Sequence, residues 1–100
     1  MTAKKILILC FDDAQILDIT GPAQVFASAN QVFGAPVYDI QLASLDGMAT
    51  RTSSGLSLVT VPYQSADTDN LHIFMVAGGD GIRRAAADTT LVNWVQDTAQ

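Results

Sequence analysis

The chain has few cysteines and few basic residues, and it contains no long apolar run. Cys10 is the one cysteine in 100 residues, which excludes an internal disulfide framework. Five basic residues stand against ten acidic ones, giving a net charge of −5. Nucleic-acid binding by this segment is therefore not expected, because phosphate contacts need clustered Lys and Arg. No stretch approaches the roughly 18 apolar residues of a membrane span, so we expect a soluble, cytoplasmic protein.

The composition is that of a small globular domain. Hydrophobic residues make up 49% of the chain and charged residues 15%, which argues against disorder. A length of 100 residues allows one domain at most. We therefore treat residues 1–100 as one unit.

The first half of the sequence predicts a strand, a helix and a second strand. Residues 6–11 form a continuous branched apolar run, typical of a strand covered on both faces. Helical spacing follows, and it predicts a helix over 21–31, with Thr20 as its cap and Pro22 in its first turn. Residues 14–19 are interpreted as a turn or a helical lead-in. Residues 38–45 then alternate, which predicts a strand with one drier face.

The second half predicts a hairpin, another strand and a last helix. Residues 50–54 and 56–61 are interpreted as two short strands about Gly55. Residues 71–77 form a second apolar run, expected to be fully buried, and four residues rich in glycine follow it. Asp88 is placed to cap a helix that runs to the end of the chain. Strands alternating with helices predict an α/β fold with a parallel sheet and right-handed crossovers.

Candidate functional residues lie where ligands of open α/β sheets bind, outside the carboxyl ends of the strands. Asp18 is an acid within an apolar stretch, just before the predicted helix. Partly buried there, it could share a proton with a nearby thiol. The alternative is a capping or solvent-facing acid, since structural networks also use carboxylates.

The glycine turn after the second apolar run is the other candidate feature. Successive backbone N–H groups in such a turn can form an anion-binding concavity and half of an oxyanion hole. The alternative is a tight strand-to-helix turn that needs positive φ. No Gly-Lys-Ser/Thr follows the turn, so it is not a P-loop. The expected ligand-binding residues are Asp18, Gly78, Gly79 and Asp80.

The remaining chemistry-bearing side chains favour structural roles. Cys10 lies within the first apolar run and is expected to be a small buried hydrophobe. His72 has no second histidine to join for metal binding. We therefore expect no metal site and no cofactor.

Four segments, taken in order, closely resemble one family. They are residues 6–30, 38–47, 51–58 and 74–95, including the segments LD-x-x-GP-x-x-VF-x-x-AN and RTSSGL. Together they resemble the opening part of the ThiJ/PfpI (class I glutamine amidotransferase-like) domain. The version at the N-terminus of GlxA-type AraC-family transcriptional regulators is the most similar. The resemblance implies a flavodoxin-like, three-layer parallel sheet with a small β-hairpin, of which this chain would be the N-terminal portion.

The resemblance also implies roles for individual residues. Asp18 matches the acid that faces the family's cysteine, and Gly79, preceded by Gly78, matches the glycine whose N–H helps form the oxyanion pocket. Ala77 stands where the family usually has proline. The family's nucleophile elbow would follow Gln100, and a DNA-binding helix-turn-helix domain would lie further on. This portion alone is therefore not expected to be a competent enzyme.

Three functions remain open at this stage. The first is the small-molecule-sensing, dimerising domain of an AraC-family regulator that contacts DNA only through another domain; the resemblance implies a homodimer. The second is a ThiJ/PfpI enzyme such as an isonitrile hydratase, amidase or glyoxalase-like enzyme, whose cysteine lies beyond residue 100. The third is a phosphoacceptor receiver using Asp12 and Asp13, although the third strand ends in glycines rather than in an aspartate.

Overall fold

The protein is described from a computed structural model, which covers residues 3–45 and 47–99. Within these residues a parallel sheet of four strands has the order β5-β2-β1-β6. The strands are β1 (Lys4–Cys10), β2 (Tyr38–Ser44), β5 (Val61–Pro62) and β6 (Leu71–Val76). A separate antiparallel pair consists of β3 (Ala49–Arg51) and β4 (Ser57–Val59). The predicted α/β class, parallel sheet and hairpin are confirmed.

Strand β1 is the centre of the core. It pairs in parallel with β2 on one side and β6 on the other, so both of its edges and both of its faces are covered. Residues 6–10 are consequently exposed by 1% or less. The continuous apolar run reflects this position, since a strand covered on both faces has no solvent side to carry polar residues.

Helix α1 (Ile16–Phe33) starts five residues earlier than the sequence predicts. The assignment of Thr20 as a cap is wrong, because its hydroxyl lies inside the helix and donates to the Ile16 carbonyl at 3.0 Å. Pro22 also lies inside the helix, beyond the first turn. A tertiary contact sets the true start: the Gln15 N–H donates to the Gly78 carbonyl at 2.9 Å and holds Gln15 extended.

Two predictions about the later strands need correction. Strand β6 was expected to be fully buried, but its residues are mostly half-buried and Val76 is 47% exposed, because β6 is an edge strand of the described sheet. Residues 56–61 were expected to form one strand. They divide at Thr60, so that β4 belongs to the hairpin while β5 pairs with β2.

The chain after the glycine turn forms two helices, α2 (Ile82–Ala86) and α3 (Thr89–Thr98). The predicted cap is confirmed: Asp88 Oδ1 accepts a hydrogen bond from the Leu91 N–H at 3.0 Å. Trp94 of α3 packs edge-on against Tyr63 and Phe74, with ring centroids 5.1 and 5.7 Å away. None of the helices in residues 3–45 and 47–99 has both the length and the apolar character to cross a bilayer.

Replacing the cap residue should weaken α3. Asp88→Ala leaves the Leu91 N–H without its acceptor, and we expect the free energy of unfolding to fall by about 1 kcal/mol. Asp97→Ala is the control, because Asp97 is an exposed acid in the last turn of the same helix, where a negative charge is unfavourable. Urea denaturation of both variants measures the difference, and equal losses would contradict the capping role.

Candidate functional site

The segments that follow β1 and β6 meet at one edge of the sheet. We call residues 11–15 and 77–81 the carboxyl edge. Gly79 forms an isolated antiparallel bridge with Ala14. The Gln15 N–H donates to the Gly78 carbonyl at 2.9 Å, and the Gly81 N–H donates to the Asp13 carbonyl at 3.3 Å. The glycine turn is thus fixed by backbone contacts to the loop that leads into α1.

Asp18 lies beside this turn. It is the third residue of α1, and its Oδ2 accepts a hydrogen bond from the Gly78 N–H at 3.1 Å. The residue is exposed, so the alternative of a solvent-facing acid is confirmed and the partly buried acid is wrong. The first turn favours a negative charge there, because the helix N-terminus carries partial positive charge. The structure therefore brings the acid and the turn together, while their functional roles remain predictions.

The glycines of the turn are required by close backbone approach. Gly79 has φ of 129°, and a Cβ there would lie 2.5 Å from the Gln15 nitrogen. A Cβ at Gly81 would overlap the carbonyl oxygen of Asp12. At Gly78 the added atom would meet only the end of the Asp18 side chain, at 2.9 Å. Positions 79 and 81 are constrained by backbone, and position 78 by a movable carboxylate.

The turn also offers hydrogen-bonding capacity. The Gly79 N–H has no protein acceptor within residues 3–45 and 47–99. In the same part of the chain, Asp18 Oδ1 accepts no hydrogen bond from a protein donor, whereas Oδ2 accepts one from the Gly78 N–H. Asp80, the remaining predicted ligand residue, is exposed. The turn thus offers a donor at Gly79, and Asp18, bound to the neighbouring Gly78, offers an acceptor.

The β3–β4 hairpin is attached to this edge by Asp12 and the residues after it. Asp12 Oδ1 accepts from the Arg51 N–H at 3.0 Å and from the Thr50 hydroxyl at 3.3 Å. The Asp13 N–H donates to the Arg51 carbonyl at 2.8 Å. Sequence reasoning noted the two acids but did not predict this positioning role. The paired acids at the strand end are visible in the sequence, but the partners of Asp12 lie 38 and 39 residues away, and no local pattern links them to it.

The acidic pair is engaged in structural contacts. Besides the contacts of Asp12, the Asp13 carboxylate faces Arg84 at 3.5 Å in an exposed ion pair, a type that adds little stability. In the described residues no group of three or more His, Cys, Asp or Glu side chains converges on a point that could hold a metal ion. These contacts favour structural roles for the acids over the receiver interpretation.

Cys10 is enclosed in the sheet and is not poised to react. It is fully buried, and its Sγ lies 3.9 Å from the Ile8 carbonyl. Burial raises the pKa of its thiol to about 12, because the apolar surroundings disfavour the thiolate. The thiolate is the nucleophilic form, so the expectation of a small buried hydrophobe is confirmed.

Alanine substitutions in the turn should separate structural from local effects. Gly81→Ala forces a Cβ into the Asp12 backbone, and we expect a loss of about 2–3 kcal/mol in the free energy of unfolding. Gly78→Ala requires only the Asp18 carboxylate to shift, so a loss below about 1 kcal/mol is expected. Chemical denaturation tests both variants. A Gly81→Ala protein as stable as Gly78→Ala would refute the close approach at position 81.

The raised pKa of Cys10 predicts a pH-dependent stability. The folded thiol holds its proton until about pH 12, whereas the unfolded thiol loses it near its ordinary value of 9.0. The unfolded state therefore binds fewer protons above pH 9, and stability falls as the pH rises from there. The fall should be steeper in the parent protein than in Cys10→Ala, as measured by denaturation between pH 8 and 11. Identical slopes would contradict the burial of this thiol.

The chain is similar in sequence to a curated protein and in fold to several solved structures. No family model matches the chain. A Streptomyces lividans protein described as "uncharacterized protein in cpoL 5′region" is 40% identical over 78 residues, which are 78% of this chain and 53% of that protein. The chain thus spans about half the length of this curated relative.

Solved structures give the same picture for the fold. An AraC family transcriptional regulator from Pseudomonas putida superposes with a TM-score of 0.68 at 20% identity, over 88% of this chain and 61% of its own. A ThiJ/PfpI family protein from Pseudomonas syringae has a TM-score of 0.72 at 22% identity, over 94% of this chain and 37% of its own. The flavodoxin-like fold expected from the sequence is the fold that these proteins share with the chain.

Proposed function

We propose that this chain, which has the flavodoxin-like ThiJ/PfpI fold, is the small-molecule-sensing, dimerising domain of an AraC-family transcriptional regulator. The ligand site lies at the carboxyl edge, where Asp18 of α1 contacts the turn at Gly78, Gly79 and Asp80. DNA contact belongs to another part of the whole protein, in keeping with the net charge of −5 in these 100 residues.

One observation carries the proposal: the Asp18 carboxylate is bound to the Gly78 N–H at 3.1 Å. The next residue of the turn, Gly79, has an N–H with no protein acceptor in the described chain. A small polar molecule with both a donor and an acceptor, such as an amide, matches these two groups. A charge-assisted hydrogen bond to the carboxylate would stabilise the complex more than a neutral one.

The thiol within these 100 residues is not a candidate nucleophile. Cys10 is the one cysteine in the sequence, and it is fully buried with a pKa raised to about 12. Neither Asp18 nor the glycine turn supplies a nucleophile of its own. The similar fold of the Pseudomonas putida protein, named as an AraC family regulator, supports the regulatory interpretation.

The test uses the full-length gene product. Thermal denaturation is followed with glutamine and acetamide as probes, and binding to DNA from upstream of the gene is followed by mobility shift. We expect at least one probe to raise the melting temperature and to change DNA affinity. Asp18→Asn should weaken that probe's binding about 10- to 100-fold, because a hydrogen bond to a charged group contributes about 1.5–3 kcal/mol.

Asp97→Asn is the matched control, since it removes an exposed acid from α3 rather than from α1. Equal weakening by both substitutions would show a general charge effect and contradict the site. A full-length protein that binds no upstream DNA with or without the probes would contradict the regulatory function.

A ThiJ/PfpI enzyme is the second candidate, favoured by the same pairing of a carboxylate with a free backbone donor. These groups match a proton-transfer residue and an oxyanion donor. The full-length protein would then turn over isonitriles or α-oxoaldehydes through a cysteine outside these 100 residues. Activity that survives Cys10→Ala but not loss of that other cysteine would establish the enzyme.

A further inference from the structure

We infer that a small cavity at the carboxyl ends of β1 and β2 binds a zwitterion, a short α-amino acid such as glycine or alanine. The cavity, which we call the Arg84 cavity, has a volume of about 50 Å³ and is lined by Phe11, Asp12, Leu45, Gly81, Arg84 and Ala85. It shares no residue with the proposed ligand site at Asp18 and the turn. The inference therefore goes beyond the proposed function.

The Arg84 cavity lies where open α/β sheets bind their ligands. Strands β1 and β2 are parallel neighbours that end at Cys10 and Ser44. The residues that directly follow these ends, Phe11 and Leu45, both line the cavity. Ligands of such sheets bind outside the carboxyl ends of the strands. The cavity thus belongs to the ends of β1 and β2, whereas the contact of Asp18 with Gly78 is made beside the end of β6.

Arg84 supplies the positive charge of the cavity. Its Nη2 lies 3.5 Å from Asp13 Oδ2, and its side chain is 73% exposed. Charge-assisted hydrogen bonds are about 2.7–2.9 Å long, and exposed ion pairs add little stability. The guanidinium can therefore turn from Asp13 to a ligand at small energetic cost. Its other N–H groups have no protein acceptor in residues 3–45 and 47–99, so two of them can bind a carboxylate side by side.

Asp12 supplies the negative charge. Its Oδ1 accepts hydrogen bonds from the Arg51 N–H and the Thr50 hydroxyl, at 3.0 and 3.3 Å. These two donors are neutral, and an ionised carboxylate has about four acceptor positions, so it can also accept from an ammonium group. An acid and a base thus line one cavity. A ligand with one charge of each sign is favoured, because a simple anion is repelled by Asp12 and a simple cation by Arg84.

The walls and the volume limit the size of the ligand. A water molecule needs roughly 10–15 Å³ of such space, so the cavity admits about three to five non-hydrogen atoms. Phe11 and Ala85 are buried and form a fixed apolar floor. Gly81 contributes backbone alone, since a Cβ there would overlap the Asp12 carbonyl. The space matches glycine, with a methyl group at the limit, and excludes larger side chains.

Isothermal titration calorimetry of the full-length protein tests the inference with glycine as the probe. Acetate and methylammonium each carry one of the two charges of glycine. We expect both to bind at least about 10-fold more weakly than glycine, because a hydrogen bond to a charged group changes affinity about 10- to 100-fold. Leucine should not bind, since its side chain exceeds the cavity. Acetate that binds as tightly as glycine would overturn the zwitterion.

Two substitutions remove the charges of the cavity one at a time. Arg84→Gln should weaken glycine binding about 10- to 100-fold, because the ligand carboxylate loses its partner. Asp12→Asn should also weaken it, since the asparagine oxygen still accepts from the hairpin while the negative charge is lost. Arg83→Gln is the matched control, because Arg83 is exposed on the same helix but does not line the cavity. Glycine affinity that falls as far in Arg83→Gln as in Arg84→Gln would overturn the inference.

Nitrogen-15 NMR locates the bound glycine. The amide signals of Gly81 and Ala85 should shift on titration of the parent protein and should shift far less in Arg84→Gln at the same glycine concentrations. Circular dichroism verifies that the variants fold, and an exposed position such as Arg84 tolerates substitution; if Asp12→Asn is unfolded, Arg84→Gln decides. The inference is overturned if glycine does not bind, or if the shifts gather at Gly78 and Gly79, which would assign glycine to the other site.

Discussion

The backbone pairing between the glycine turn and the loop after β1 is the constraint on which the rest of the site depends. The bridge between Ala14 and Gly79 and the hydrogen bond from Gln15 to Gly78 join the ends of two neighbouring parallel strands. The same hydrogen bond sets the start of α1, and the start of α1 places Asp18 against the turn. One set of contacts thus links the sheet, the first helix and the candidate site.

The features that the sequence predicted well are those set by local patterns. The run of branched apolar residues in β1 predicted a strand covered on both faces, and every residue from 6 to 10 is indeed buried. Asp88 was predicted as a cap because a capping side chain acts within its own turn. The meeting of Asp18 with the glycine turn followed from topology, since the carboxyl ends of adjacent parallel strands share one edge.

The features that the sequence did not reveal depend on distant partners. Thr20 and Pro22 resemble a helix start, but the contact of Gln15 with Gly78, 63 positions away, begins the helix earlier. The hairpin's attachment through Asp12 joins residues with no common local pattern. Strand β5 has only two residues, one of them a proline, and it exists because β2 lies beside it. Tertiary contacts override local propensity in each case.

The most direct measurement of the central contact is the hydrogen exchange of the Gly78 amide, followed by nitrogen-15 NMR in the parent protein and in Asp18→Ala. The account predicts that this N–H exchanges faster with solvent in Asp18→Ala, because it loses the carboxylate that accepts its hydrogen bond. It also predicts that the Gln15 amide, bonded to the Gly78 carbonyl, keeps its protection in both proteins. A Gly78 amide that exchanges equally fast in the two proteins would contradict the account.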